Sequence, residues 1–291
     1  MKTDGRRQSG NIEDRRGQSA GGGGRFPIGR ASTGGGLGLI VIVVVSYFLG
    51  IDPSQIIDTG SVQSPAGSSS SVPYQETAQE AERSKLVKVV LAETEDTWTK
   101  IFATNGKTYE KPVLVLFNGA VDTHCGFAQS AAGPFYCPAD RKLFLDLTFF
   151  DDMRTKLGAG GDFAMAYVIA HEVGHHIQTV LGISTQVNQQ RARSNETQGN
   201  ALSVKVELQA DCLAGVWASH TDKKLLDAGD IEEAMTAAAA VGDDRLQKSA
   251  QGYVVPESFT HGSSADRVAW FKKGLQTGEV GQCDTFAGGN R

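Results

Sequence analysis

The order of periodic segments in this sequence predicts an α+β domain carried behind an N-terminal transmembrane helix. Three observations support that reading. A helical pattern over residues 75–104 is followed by two short strand-like runs and then by mostly helical sequence. Fifteen uncharged residues, Leu37 to Ile51, separate this region from a Gly- and Arg-rich N-terminus. The most apolar helical run, Asp162 to Leu181, contains two histidines four residues apart, His171 and His175.

Residues 1–33 carry glycine runs and little apolar side chain, so they are expected to be a disordered leader. Residues 34–51 are expected to form a membrane anchor. As a helix, Leu37 to Ile51 spans about 22 Å, short for a hydrocarbon core of about 30 Å but workable with local thinning. A buried core helix has only low-complexity flanks to pack against, and a cleaved signal peptide lacks a close small-x-small site. Residues 1–51 hold seven basic and three acidic side chains, which places the leader in the cytoplasm and the remainder across the membrane. Residues 52–73, with Ser64 to Pro73 rich in Ser, Gly and Pro, read as a flexible linker.

Residues 74–291 are expected to fold as one domain. Leu86, Val89, Val90, Trp98, Ile101 and Phe102 supply a broken helical stripe, and Val113–Phe117 and Leu143–Leu147 read as strands bracketed by turn-prone residues. Thr185 to Asn200 is a polar insertion, read as a lid or a surface loop. Helices are expected over about 201–220, from Asp230 with Glu233 as a cap pair, and over Ser264–Leu275. The whole chain carries a net charge of −5, and residues 52–291 hold 21 basic against 30 acidic groups. An acidic body repels phosphate backbones, so nucleic acid is excluded as a partner.

The chemistry lies in His171-Glu172-Val173-Gly174-His175. Histidines four apart on a helix project from one face and can reach one Zn²⁺, while Glu172 stands about 100° around, able to handle a water without ligating the metal. A catalytic zinc needs a third protein ligand, and the best candidate is Glu207 in Glu-Leu-Gln-Ala-Asp211. Asp211, four residues on, could fix the tautomer of a ligand imidazole. His261 is a candidate oxyanion donor or a capping residue, and Arg267 a partner for Asp211 or another carboxylate. His176 points off the metal face, His220 suits a helix C-terminus, and His124 has no evident partner. The even cysteine count allows two bridges. Cys125–Cys137, twelve apart, fit a hairpin, which leaves Cys212–Cys283 to clamp the tail onto the helix of Glu207. A thiolate metal site is the rival, but no Cys-x-x-Cys occurs.

His171-Glu-Val-Gly-His-His176 with Glu207-Leu-Gln-Ala-Asp-Cys-Leu-Ala-Gly215 resembles the gluzincin metallopeptidases. More narrowly, the chain is similar to the bacterial neutral zinc metallopeptidases of the YpfJ type. Asn11-Ile-Glu-Asp-Arg-Arg-Gly17, Pro134-Phe-Tyr-Cys-Pro-Ala-Asp140 and Phe259-Thr-His-Gly-Ser-Ser264 with Arg267 share that likeness. The resemblance implies a zincin-like domain, a small sheet plus helices with the zinc motif on a central helix. It implies one Zn²⁺ held by His171, His175 and Glu207, with Glu172 as the catalytic carboxylate. Combined with the anchor, it implies a single-pass protein of the bacterial inner membrane whose domain faces the periplasm, where both disulfides can form. The expected function is Glu-assisted hydrolysis of peptide bonds in extracytoplasmic proteins or peptides. A zinc-binding envelope adaptor without turnover is the alternative, and hydrolysis of a non-peptide substrate a third.

Overall fold

The structure is a computed structural model describing residues 1–18 and 74–287. Six strands are described: β1 (Ile12–Asp14), β2 (Val113–Leu116), β3 (Ala120–Thr123), β4 (Gly126–Gln129), β5 (Phe135–Cys137) and β6 (Lys142–Leu145). Four of them form a sheet in the order β1-β2-β6-β5. β1 and β6 both run parallel to β2, and β5 runs antiparallel to β6. Side chains alternate across this sheet as the period of two requires. Leu114, Leu116, Leu143 and Leu145 enter the main core, while Val115 and Phe144 face the other way. There the β3–β4 hairpin covers them with Val121 and Ala128. Strands buried on both faces read as continuous apolar runs, which is why β2 and β6 are legible in the sequence.

The α-helices of the described residues are α1 (Ala78–Thr104), α2 (Phe149–Thr155), α3 (Asp162–Val180), α4 (Ile183–Arg191), α5 (Glu196–His220), α6 (Asp230–Ala240), α7 (Asp243–Gln251) and α8 (Ser264–Thr277). Thr77 starts α1 with a reciprocal cap: its hydroxyl accepts from the Glu80 N–H while the Glu80 carboxylate accepts from the Thr77 N–H. α3 is buried continuously from Phe163 to Gly174 and packs against α1, α5, α6, β5 and β6, as a helix apolar all round must. The polar insertion is helical. It forms α4 and the first turn of α5, which Asn195 and Gln198 cap reciprocally. Cys125, in the β3–β4 turn, is bonded to Cys137 at the end of β5, so this bridge ties the hairpin to the main sheet. Cys212 of α5 is bonded to Cys283 near the C-terminus.

Two expectations about architecture are corrected. The sheet is mixed, with two parallel pairs, so the domain is a mixed α/β structure and not the segregated α+β one the element order implied. Residues 1–18, expected within the disordered leader 1–33, belong to this fold. Their order rests on polar satisfaction, which hydrophobic patterning does not reveal. Glu95 of α1 is 1% exposed, and its carboxylate takes Arg7 at 3.1 Å, the Ser9 hydroxyl at 2.5 Å and the Asn11 amide at 2.7 Å. Without that segment α1 would bury a carboxylate short of partners. Arg16, also buried, pairs with Asp14 and with Glu76 at 2.7 Å.

The membrane placement is overturned by the same contacts. β1 hydrogen-bonds within one sheet with β2, so residues 1–18 and 74–287 lie on one side of any membrane. A cytoplasmic N-terminus with an extracytoplasmic domain, the single-pass inner-membrane arrangement, is therefore excluded. No helix among the described residues is long and apolar enough to cross a membrane. The anchor expected over 34–51, the linker over 52–73 and residues 19–33 lie outside the described residues.

Candidate metal centre

α3 and α5 cross at Gly174, where an added Cβ would stand 3.0 Å from the Cα and carbonyl oxygen of Ala210. That close approach brings the His171/His175 face onto Glu207. One donor atom from each of His171, His175 and Glu207 lies within 4.8 Å of the others. Nε2 of His171 is 3.1 Å from Glu207 Oε2, and Nε2 of His175 is 3.5 Å from Glu207 Oε1.

The opposite ring nitrogens are already engaged. His171 Nδ1 lies 2.8 Å from Asp211 Oδ1, and His175 Nδ1 lies 2.9 Å from Gln178 Oε1. Both acceptors take an N–H, which orients each ring so that Nε2 is the nitrogen offered to a metal. Two imidazoles and one carboxylate with one donor atom of each within 4.8 Å of the others make a donor set that fits zinc.

Asp211 is fully buried and holds its charge through several partners. Arg267, 3% exposed, donates from Nε to Oδ2 at 2.9 Å and from Nη2 to Oδ1 at 3.0 Å. The Tyr167 hydroxyl donates to Oδ1 as well. Burial raises the Asp211 pKa, but Arg267 and His171 outweigh it and hold the carboxyl below its ordinary value. For His171 without a metal, burial is outweighed by Asp211 and Glu207, which push the imidazole up to about 10, so its Nε2 proton, shared with Glu207, must leave when a metal binds.

Glu172 is also buried, and burial raises its carboxyl pKa against the pull of His175 and His171. It has no hydrogen-bond or ion-pair partner among the described residues, so its carboxylate is free for a water or substrate. His261 lines the same cleft. Asp243 Oδ2 accepts the backbone N–H groups of Thr260, His261 and Gly262 at 2.7, 2.6 and 3.0 Å, which carries the loop. Asp243 Oδ1 is 3.1 Å from His261 Nδ1, leaving Nε2 for a ligand. Burial lowers the His261 pKa, but Asp243 and Glu207 outweigh it and the net shift is upward.

The cleft over these groups encloses about 690 Å³. Its walls come from the β3–β4 hairpin, β5, the end of α2, α4 and α7. The other histidines lie elsewhere. His176 is completely buried, donating from Nε2 to the Glu110 carbonyl at 2.7 Å and facing the Tyr136 hydroxyl at 3.1 Å, so it pins α3 to the sheet. His220 donates to the Gly278 carbonyl at 2.9 Å, and His124 pairs with Asp140.

Sequence reasoning missed Tyr167, Gln178 and Asp243. Tyr167 is four residues before His171 and Gln178 three after His175, so helical spacing could have found both. Asp243 meets His261 only through tertiary contact.

A model of the family described as "Putative neutral zinc metallopeptidase" matches residues 1–286. YpfJ of Escherichia coli (strain K12) is 50% identical over 292 residues, covering 98% of this chain and 99% of its own. Rv2575 of Mycobacterium tuberculosis (strain H37Rv) is 46% identical over 192 residues, 62% of this chain and 64% of its own. No solved structure matches. With the family model matching nearly the whole length, this chain belongs to the putative neutral zinc metallopeptidase family, whose cofactor is zinc.

Proposed function

We propose that the chain is a zinc-dependent endopeptidase in which His171, His175 and Glu207 hold the metal. The observation that carries this is the pair of Nε2 atoms facing Glu207, each with its Nδ1 committed to a fixed acceptor. Bound there, zinc would act as a Lewis acid, lowering the pKa of water from 15.7 to about 7 and polarising a carbonyl.

The chain's own groups supply the rest. Glu172 takes the proton of the attacking water and passes it to the leaving amine. A carboxylate without a protein partner suits that exchange, and a purely structural zinc site gives no reason to bury one. His261, oriented by Asp243, donates from Nε2 to the developing oxyanion. Asp211 and Arg267 act at one remove. They hold the His171 ring in the orientation and tautomer that ligation needs.

Glu172→Gln is expected to retain zinc and lose chelator-sensitive cleavage of an unfolded protein. Full cleavage by that variant would sink the assignment, and zinc retention without any cleavage by the wild type would favour the adaptor reading.

A further inference from the structure

One wall of the cleft is a single helical face. Ser184, Val187, Asn188 and Arg191 of α4 all line it, at the i, i+3, i+4, i+7 spacing of one helix side. At 1.5 Å per residue that wall runs about 10 Å, the length of roughly three residues of extended peptide.

Among the described residues, four cations other than histidine line the cleft, and three have protein acceptors. Lys156 pairs with Asp152 at 3.1 Å, Arg267 with Asp211 at 2.9 Å, and Arg245 donates to the Leu157 carbonyl at 3.3 Å. The Arg191 guanidinium has no hydrogen-bond or ion-pair partner among the described residues. It is nevertheless half-buried, and burial is the one influence on its pKa, which it lowers. A guanidinium that has lost water and gained no acceptor is the side chain whose energy a ligand anion would most improve.

We infer that Arg191 is a specificity-determining residue that binds a carboxylate of the substrate through paired N–H donors. The inference rests on the peptidase reading of the cleft and adds to it the class of substrate: peptides carrying an acidic side chain or a free C-terminal carboxylate within reach of α4. Planar guanidinium and planar carboxylate match in geometry, which a lysine at this position would not reproduce.

The test separates binding from turnover. Labelled decapeptides of one sequence are titrated into the full-length, zinc-loaded Glu172→Gln protein. One is neutral with Gln and an amidated end, one set places Glu at each position in turn, and one has a free C-terminal carboxylate. The expected result is that at least one carboxylate peptide binds about tenfold tighter than the neutral one or better. Arg191→Met should abolish that preference and Arg191→Lys should keep part of it. Preference within the Glu set identifies a side-chain carboxylate, and preference for the free end identifies a chain terminus. Equal affinities, or a preference that survives in Arg191→Met, overturn the inference. Cleavage of the neutral peptide by the wild type, measured in parallel, reports separately on the peptidase reading.

Discussion

Gly215→Ala should destabilise the domain although it adds a helix-favouring residue to the interior of α5. An alanine there ordinarily gains about 1 kcal/mol over glycine. Here α8 leaves no space. A Cβ on residue 215 would stand 2.1 Å from the Phe271 carbonyl oxygen and 2.7 Å from the Leu275 nitrogen, both backbone atoms of α8. Since real Cβ contacts essentially never fall below 3.0 Å, α8 must retreat by about an ångström. Overpacking of that kind costs about 3 kcal/mol when no flexible side chain can yield. The net loss of about 2 kcal/mol corresponds to a Tm drop of about 4–8 °C for a domain of this size. Gly199→Ala on the same helix is the matched control, because its Cβ would meet only Arg191 Nε at 3.9 Å. That variant should gain up to about 1 kcal/mol. The retreat of α8 also moves Arg267, one turn before Phe271, so zinc affinity should fall in Gly215→Ala and hold in Gly199→Ala. Thermal unfolding and competitive zinc titration read both effects. A Tm for Gly215→Ala equal to or above wild type would refute the close-packing argument.

Arg267→Ala should cost about 3–5 kcal/mol in urea unfolding, because it leaves Asp211 charged and buried without its main partner, and should weaken zinc binding about 10–100-fold. Unchanged zinc affinity would show that Asp211 orients His171 unaided. His261→Ala should lower kcat by about 10²-fold or more with zinc content unchanged, and a variant that loses its zinc would remove His261 from the oxyanion role. The docked N-terminal strand should loosen in acid. Hydrogen bonding to Arg16 holds the Asp14 carboxyl below its ordinary 3.8. Its stabilisation is therefore complete above about pH 4 and is lost as pH falls through the lowered value. Hydrogen exchange at the β1 amides, corrected for intrinsic rate, should quicken over that window, and constant protection down to pH 2 would contradict the role of this ion pair.

The sequence by itself determined the parts governed by spacing along the chain. His171 and His175 share a face because four residues only slightly exceed one helical turn, and Glu207 and Asp211 do so for the same reason. β2 and β6 were legible because strands buried on both faces become continuous apolar runs. The tertiary structure decided the rest. Residues 1–18 look polar and disordered until Glu76, Glu95 and β2 are brought to them, since these partners lie 60 or more positions away. The β1–β2 pairing reversed the membrane placement that the charge asymmetry around residues 34–51 predicts. Asp243 reaches His261, and Arg191 faces the cleft unpaired, only because helices distant in sequence pack around α3. A chain-local period specifies which side chains share a face, and long-range packing specifies what that face meets.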